Sequence, residues 1–132
     1  MNKPRLLFVC GRNQWRSPTA VDVYRRDPRF SVRSAGVSDK SRHRVSADDL
    51  DWADLVLVME RKHRARILEM FCDRANFPRM VSLDIPDEFE RMDQELIALI
   101  QNGTEFHLKH EFNLEPLPRE ATSPPPDNPT AF

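Results

Sequence analysis

Arg5-Leu-Leu-Phe-Val-Cys10-Gly-Arg-Asn-Gln-Trp-Arg16-Ser17-Pro18 joins an uninterrupted apolar run to a polar break and then to a serine followed by proline. A run such as Leu6 to Val9 is the pattern of a strand buried on both faces of a parallel sheet. Proline suits the first turn of a helix, where its missing N–H would lack a partner anyway. Ser17-Pro18 therefore reads as a helix start, continued by Ala20, Val21 and Tyr24 at helical spacing. The segment is strand, loop, helix.

The loop has the form C-x5-R-S. Five residues between Cys10 and Arg16 let the backbone curl so that successive N–H groups point inward. Such a nest, backed by a helix N-terminus, suits the three non-bridging oxygens of a phosphate. Gly11, Arg12, Asn13, Gln14, Trp15, Arg16 and Ser17 are the candidate phosphate-binding residues. Arg16 can close the cradle with two parallel hydrogen bonds, which a lysine could not match. The same field favours a thiolate. Cysteine titrates near about 8.5 when unperturbed, and helix N-termini with nearby cations bring that to roughly 3.5–7.5. Cys10 is the candidate nucleophile.

Outward from this segment the chain repeats the same alternation. Phe30 to Ala35 alternates before Gly36 and reads as a second strand, and Ser46-Ala-Asp-Asp49 has capping-box spacing at the start of a short helix through Trp52. Leu55-Val-Leu-Val-Met59 is the clearest strand, followed by a helix with Ile67, Leu68 and Phe71 on one face. Met80 to Leu83 predicts a fourth strand, and Leu96, Ile97, Leu99 and Ile100 a last helix that Asn102-Gly103 stops. The fold class is a three-layer α/β single domain with a four-stranded parallel sheet and the phosphate-binding loop after the first strand. Its site belongs at the carboxyl ends of the strands, where Cys10 stands.

Composition sets the outer limits. The chain has 132 residues, with 20 Lys and Arg against 21 Asp and Glu, so it lacks the basic excess that draws a protein to nucleic acid or anionic lipid. No apolar run approaches a membrane span, and the first strand is too short for a secretory signal, so a cytoplasmic protein is expected. Two cysteines, Cys10 and Cys72, cannot form a disulfide scaffold or a four-thiolate metal site. Six of the 11 prolines follow Gly103. The expected division is a folded domain over 1–103 and a mobile Pro-rich extension over 104–132.

The sequence resembles the low-molecular-weight protein tyrosine phosphatases, as a compact, divergent branch. The resemblance rests on Val9-Cys10, Asn13, Arg16-Ser17-Pro18-Thr-Ala20, Ser34-Ala35-Gly36, Val58-Met59 and the loop after the fourth strand, and covers about residues 5 to 103. It implies a cysteine-dependent phosphatase acting on phosphotyrosine or aryl phosphates through a cysteinyl-phosphate. Cys10 would attack phosphorus, Arg16 bind the transferring group, Ser17 hydrogen-bond the thiolate and Asn13 brace the loop. Laid over the family's acid-bearing loop, Ile85-Pro86-Asp87-Glu88-Phe89-Glu90 puts Asp87 in the place of the general acid, with Asp84 the competing carboxylate. Phe89 is left as a possible substrate wall. Arg12 stands where glycine is usual, Gln14 where an aliphatic residue is usual, and Trp15 where many members carry a second cysteine. The implied partners are a phosphorylated protein or small aryl phosphate, with phosphate or sulfate-like anions in the loop. No cofactor, metal, nucleic acid or membrane is expected.

Two alternatives are a thiol-linked arsenate reductase, which needs further redox cysteines, and a catalytically weak phosphate- or phosphoprotein-binding module. Elsewhere the residues read as structural. Cys72 is expected to be an inert, partly buried thiol, His43 and His63 solvated among arginines, and Trp52 packed on the core. His107 and His110 share a helix face but lack a third ligand for a metal. The basic run Arg61 to Arg66 reads as a solvated helix face.

Overall fold

The structure, a computed structural model, describes residues 3–116. Elements follow in the order β1 (Arg5–Cys10), α1 (Arg16–Tyr24), β2 (Ser31–Gly36), α2 (Ala47–Trp52), β3 (Leu55–Val58), α3 (Arg61–Met70), β4 (Arg79–Ser82) and α4 (Gln94–Phe112). The strands pair in parallel in the order β2-β1-β3-β4. This is the expected four-stranded α/β sandwich.

The period of two along each strand sorts the core into two halves. Leu6, Phe8 and Cys10 of β1, with Leu55 and Leu57 of β3, face α1 and α4 through Ala20, Tyr24, Leu96, Ile100 and Leu108. Leu7 and Val9, with Val56 and Val58, face the other way onto Leu50 of α2 and Ile67 of α3. Both central strands are covered on both sides, which is why their sequences are continuous apolar runs without alternation. Trp52 packs on the second half, as expected, and carries the Arg33 guanidinium 4.3 Å over its ring.

Helix α2 is capped by Ser46, whose Oγ accepts from the Asp49 amide at 3.2 Å while Asp49 Oδ2 accepts from the Ser46 amide at 3.0 Å. The shorter Asp completes a box that Glu or Gln usually closes.

The structure departs from several expectations. Helix α4 does not stop at Asn102-Gly103 but runs to Phe112, ending at Asn113 in the left-handed conformation, φ 55°. A Cβ on Gly103 would lie 2.8 Å from Leu83 Cδ2, so this glycine lets the helix approach the end of the sheet. The boundary expected at 103 therefore falls inside α4, whose Thr104 and Leu108 are buried. Residues 117–132, most of the Pro-rich stretch, lie outside the described residues. His63 is buried, not solvated, because it shares the inner face of α3 with Ile67 four residues on. Cys72 is exposed, since it lies beyond the end of α3. His43 is exposed but not simply solvated, its Nε2 lying 2.8 Å from Asp49 Oδ2. Among the described residues no helix is long and apolar enough to cross a membrane, and no group of three His, Cys, Asp or Glu side chains could hold a metal ion.

Candidate active site

The loop between β1 and α1 is shaped by its carbonyls. Those of Cys10, Gly11 and Arg12 accept from the amides of Val37, Ser38 and Arg42 at 3.1, 2.8 and 3.3 Å, and Ser41 Oγ also donates to the Gly11 carbonyl at 3.1 Å. Among the described residues all peptide bonds are trans. A carbonyl turned outward sends the next residue's N–H inward, so the amides of Gly11, Arg12 and Asn13 face the hollow of the loop. Asn13 takes the left-handed conformation, φ 55°, which asparagine tolerates better than most residues. Its amide donates to Cys10 Sγ at 3.1 Å.

Cys10 is buried, at 3% exposure, and its sulfur meets a second group. Ser17 Oγ lies 3.1 Å from Cys10 Sγ, donates to Asn13 Oδ1 at 3.0 Å and reaches the Ala35 carbonyl at 3.3 Å. A hydroxyl has one proton, so an ionised sulfur competes for it with two neutral oxygens and is the strongest acceptor of the three. The structure thus brings Asn13 and Ser17 together at the Cys10 sulfur.

Arg16 is 4% exposed. Its Nη1 donates to Glu60 Oε1 at 2.7 Å and to the Ile85 carbonyl at 2.8 Å, and its Nε lies 3.7 Å from Asp87 Oδ1. Glu60 was not among the expected site residues. The signal for it is positional: an acid immediately after β3, at the same sheet edge as Cys10. Burial alone would raise the Glu60 pKa, but the hydrogen bond and charge of Arg16 outweigh it and hold the carboxyl below its ordinary value. His63, three residues on, accepts from the Glu60 amide through Nδ1 at 3.1 Å. Burial first, then the charge of Arg16, pushes the His63 pKa down to about 4, so the ring is neutral near pH 7.

Cys10, Gly11, Arg12, Gln14, Trp15, Arg16 and Asp87 line a cavity of about 230 Å³. A larger depression of about 600 Å³ near Arg5 and Asp54 lies at the other end of the strands, and none of its lining residues is a cysteine. The structure separates the two candidate acids. Asp84 accepts from Ser82 Oγ at 2.7 Å and pairs with Arg61 at 3.3 Å, and the Ser82 hydrogen bond holds its carboxyl below the ordinary value. Asp87 alone of the two lines the cavity. Phe89 is not among the residues lining the cavity, and its ring packs on the core beside α1 and α4. The aromatic side chain at the cavity is Trp15, 42% exposed.

No protein-family model and no curated protein matches the chain by sequence. Solved structures do match. YwlE arginine phosphatase from Geobacillus stearothermophilus is 22% identical with a TM-score of 0.60, over 86% of this chain and 99% of that one. The low-molecular-weight protein tyrosine phosphatase SP-PTP from Streptococcus pyogenes is 18% identical with a TM-score of 0.67, over 82% and 93%. The tyrosine phosphatase Wzb from Escherichia coli K30, in complex with phosphate, is 19% identical with a TM-score of 0.64, over 83% and 99%. The chain has the fold of the low-molecular-weight protein tyrosine phosphatases.

Proposed function

We propose that the protein is a cysteine-dependent phosphatase that hydrolyses phosphomonoesters, phosphotyrosine or another aryl phosphate, through a cysteinyl-phosphate. The observation that carries this is the convergence of the Asn13 amide and Ser17 hydroxyl on Cys10 Sγ, in a cavity that Arg16 and Asp87 also line. The likeness in fold to YwlE, SP-PTP and Wzb supports the same reading.

In the first step the Cys10 sulfur forms a bond to phosphorus as the bond to the leaving oxygen breaks. Asp87 gives that oxygen a proton. Water then attacks the phosphorus, loses a proton to Asp87, and frees phosphate with the thiolate restored. The inward amides and Arg16 stabilise the equatorial oxygens in both steps. Phosphorylated proteins or small aryl phosphates are the proposed substrates, phosphate or sulfate-like anions the competitors, and the cytoplasm, where both cysteines stay reduced, the proposed setting.

An arsenate reductase would need a second thiol within reach. Helix α3 begins at the site edge beside Glu60, and its ten residues rise about 15 Å, which leaves Cys72 at the far end. Turnover of nitrophenyl phosphate, with orthovanadate as inhibitor, tests the proposal. Wild-type protein is expected to turn over and Cys10→Ser to bind vanadate without turnover. Equal turnover by both would overturn covalent catalysis, and binding without turnover by both would favour the binding module.

A further inference from the structure

Two loops flank Cys10 from opposite sides, because β2 lies on one side of β1 while β3 and then β4 lie on the other. Their charges differ in sign. The β2–α2 loop, 37–46, carries Lys40, Arg42 and Arg44 against Asp39, a net of +2. The β4–α4 loop, 83–93, carries Asp84, Asp87, Glu88, Glu90 and Asp93 against Arg91, a net of −4.

Much of this charge is already engaged. Asp84 is paired with Arg61, Arg91 with Asp22, and Asp93 caps α4. Glu88 and Glu90, both exposed, make no ion pair among the described residues. On the other side Arg12 and Arg42 are exposed and equally unpaired among the described residues; the Arg42 amide is bonded to the Arg12 carbonyl at 3.3 Å, and Arg42 lines a neighbouring depression with Asn13, Arg25 and Arg91. Arg12 itself lines the cavity. Beside the inward amides and Arg16 it is a second guanidinium at the wall, and it holds no ion pair among the described residues. A carboxylate matches its planar fork.

We infer that the cavity selects phosphorylated peptides with an acidic residue next to the phosphorylated one, its carboxylate lying over Arg12 and Arg42 and away from Glu88 and Glu90. The inference rests on the proposed phosphatase reading and names its substrate class. Exposed ion pairs are individually weak and salt-sensitive, so the selection is a modest preference that fades as salt is added.

The test measures affinity of Cys10→Ser, by calorimetry at low salt, for tyrosine-phosphorylated peptides that differ only in carrying Glu, Gln or Lys beside the phosphotyrosine, on either side. At one or both flanking positions the Glu peptide is expected to bind about two- to tenfold tighter than the Gln peptide, and the Lys peptide more weakly than either. Adding Arg12→Glu and Arg42→Glu to Cys10→Ser should reverse that order. If this variant does not fold, Glu88→Lys with Glu90→Lys on the opposite lip should bring acidic peptides tighter at both flanks. Equal affinities for all peptides, an order left unchanged by Arg12→Glu with Arg42→Glu, or no gain for acidic peptides in Glu88→Lys with Glu90→Lys, would overturn the inference. The same peptides offered to wild-type protein report turnover separately. Absence of turnover would remove the phosphatase reading while the affinity order still decides whether the lips select acid.

Discussion

Arg16 Nη1 sits between the Glu60 carboxylate, 2.7 Å away, and the Ile85 carbonyl oxygen, 2.8 Å away. The ends of β3 and β4 thus meet on one buried guanidinium contributed by α1. Two acceptors fix one nitrogen and leave the plane of the group, with its other donors, set for a ligand. Glu60→Ala is expected to lower stability by about 1–3 kcal/mol, the cost of leaving a largely buried charged donor short of its partner. Vanadate affinity should fall with it. Glu60→Gln keeps an acceptor and should recover most of the affinity. Urea unfolding and vanadate inhibition check this, and an alanine variant unchanged in both would show that Glu60 does not hold Arg16.

Gly36 is paired in register with Cys10. A Cβ there would lie 2.2 Å from Ser41 Oγ, 2.7 Å from the Asn13 nitrogen and 2.9 Å from the Arg12 carbonyl carbon. The serine can rotate away, but the two backbone atoms are the loop itself. Gly36→Ala should therefore displace the cradle and reduce turnover by about 10²-fold, the scale for a misplacement near 1 Å. Wild-type kinetics in this variant would mean that the loop yields without loss of function.

A residue's place in the structure is legible in the sequence where its role is local. The β1 run, the Ser17-Pro18 helix start and the β3 run carry their structure in adjacent residues, and each formed where expected. Gly103 misled because a glycine after asparagine ordinarily ends a helix, whereas here the reason for glycine is Leu83, on a different element. His63 read as solvated because its sequence neighbours are arginines, although Ile67 at i+4 marked the inner face. Glu60 is legible as an acid at the right sheet edge, but its partner is 44 residues away. Family position puts Phe89 at the site, whereas packing puts its ring on the core.

The buried His63 makes stability depend on pH. Its pKa falls from 6.5 to about 4 on folding, so between those values the unfolded chain binds a proton that the native chain does not. Stability from this residue is constant above pH 6.5 and is lost as pH falls toward 4, by at most about 3 kcal/mol. The lowered carboxyl of Glu60 adds loss in the same direction at the acid end. His63→Asn, which still offers an acceptor to the Glu60 amide, should flatten the stability profile across this window in urea titrations. An unchanged slope would show that His63 is not the group responsible.

Asp87 is expected to act on the leaving oxygen, and Asp84 is not. Asp87→Asn should slow cleavage of a tyrosyl phosphate by about 10²–10⁴-fold, while slowing cysteinyl-phosphate formation from an activated nitrophenyl ester much less. Asp84→Asn should show no such contrast, since its carboxylate is held by Ser82 and Arg61. Burst-phase kinetics separate the two steps. Leaving-group dependence carried by Asp84 instead would place the acid three residues earlier in the loop.

The Asn13 amide and Ser17 hydroxyl surround the Cys10 sulfur, on which the proposed catalysis depends. The direct measurement is a rapid acid quench of wild-type protein during turnover of nitrophenyl phosphate, followed by peptide mass spectrometry. The expected result is a phosphoryl group on the peptide containing Cys10, absent from unreacted protein and from Cys10→Ser. Turnover with no phosphoryl group on Cys10, or with one on another residue, would contradict a cysteinyl-phosphate mechanism.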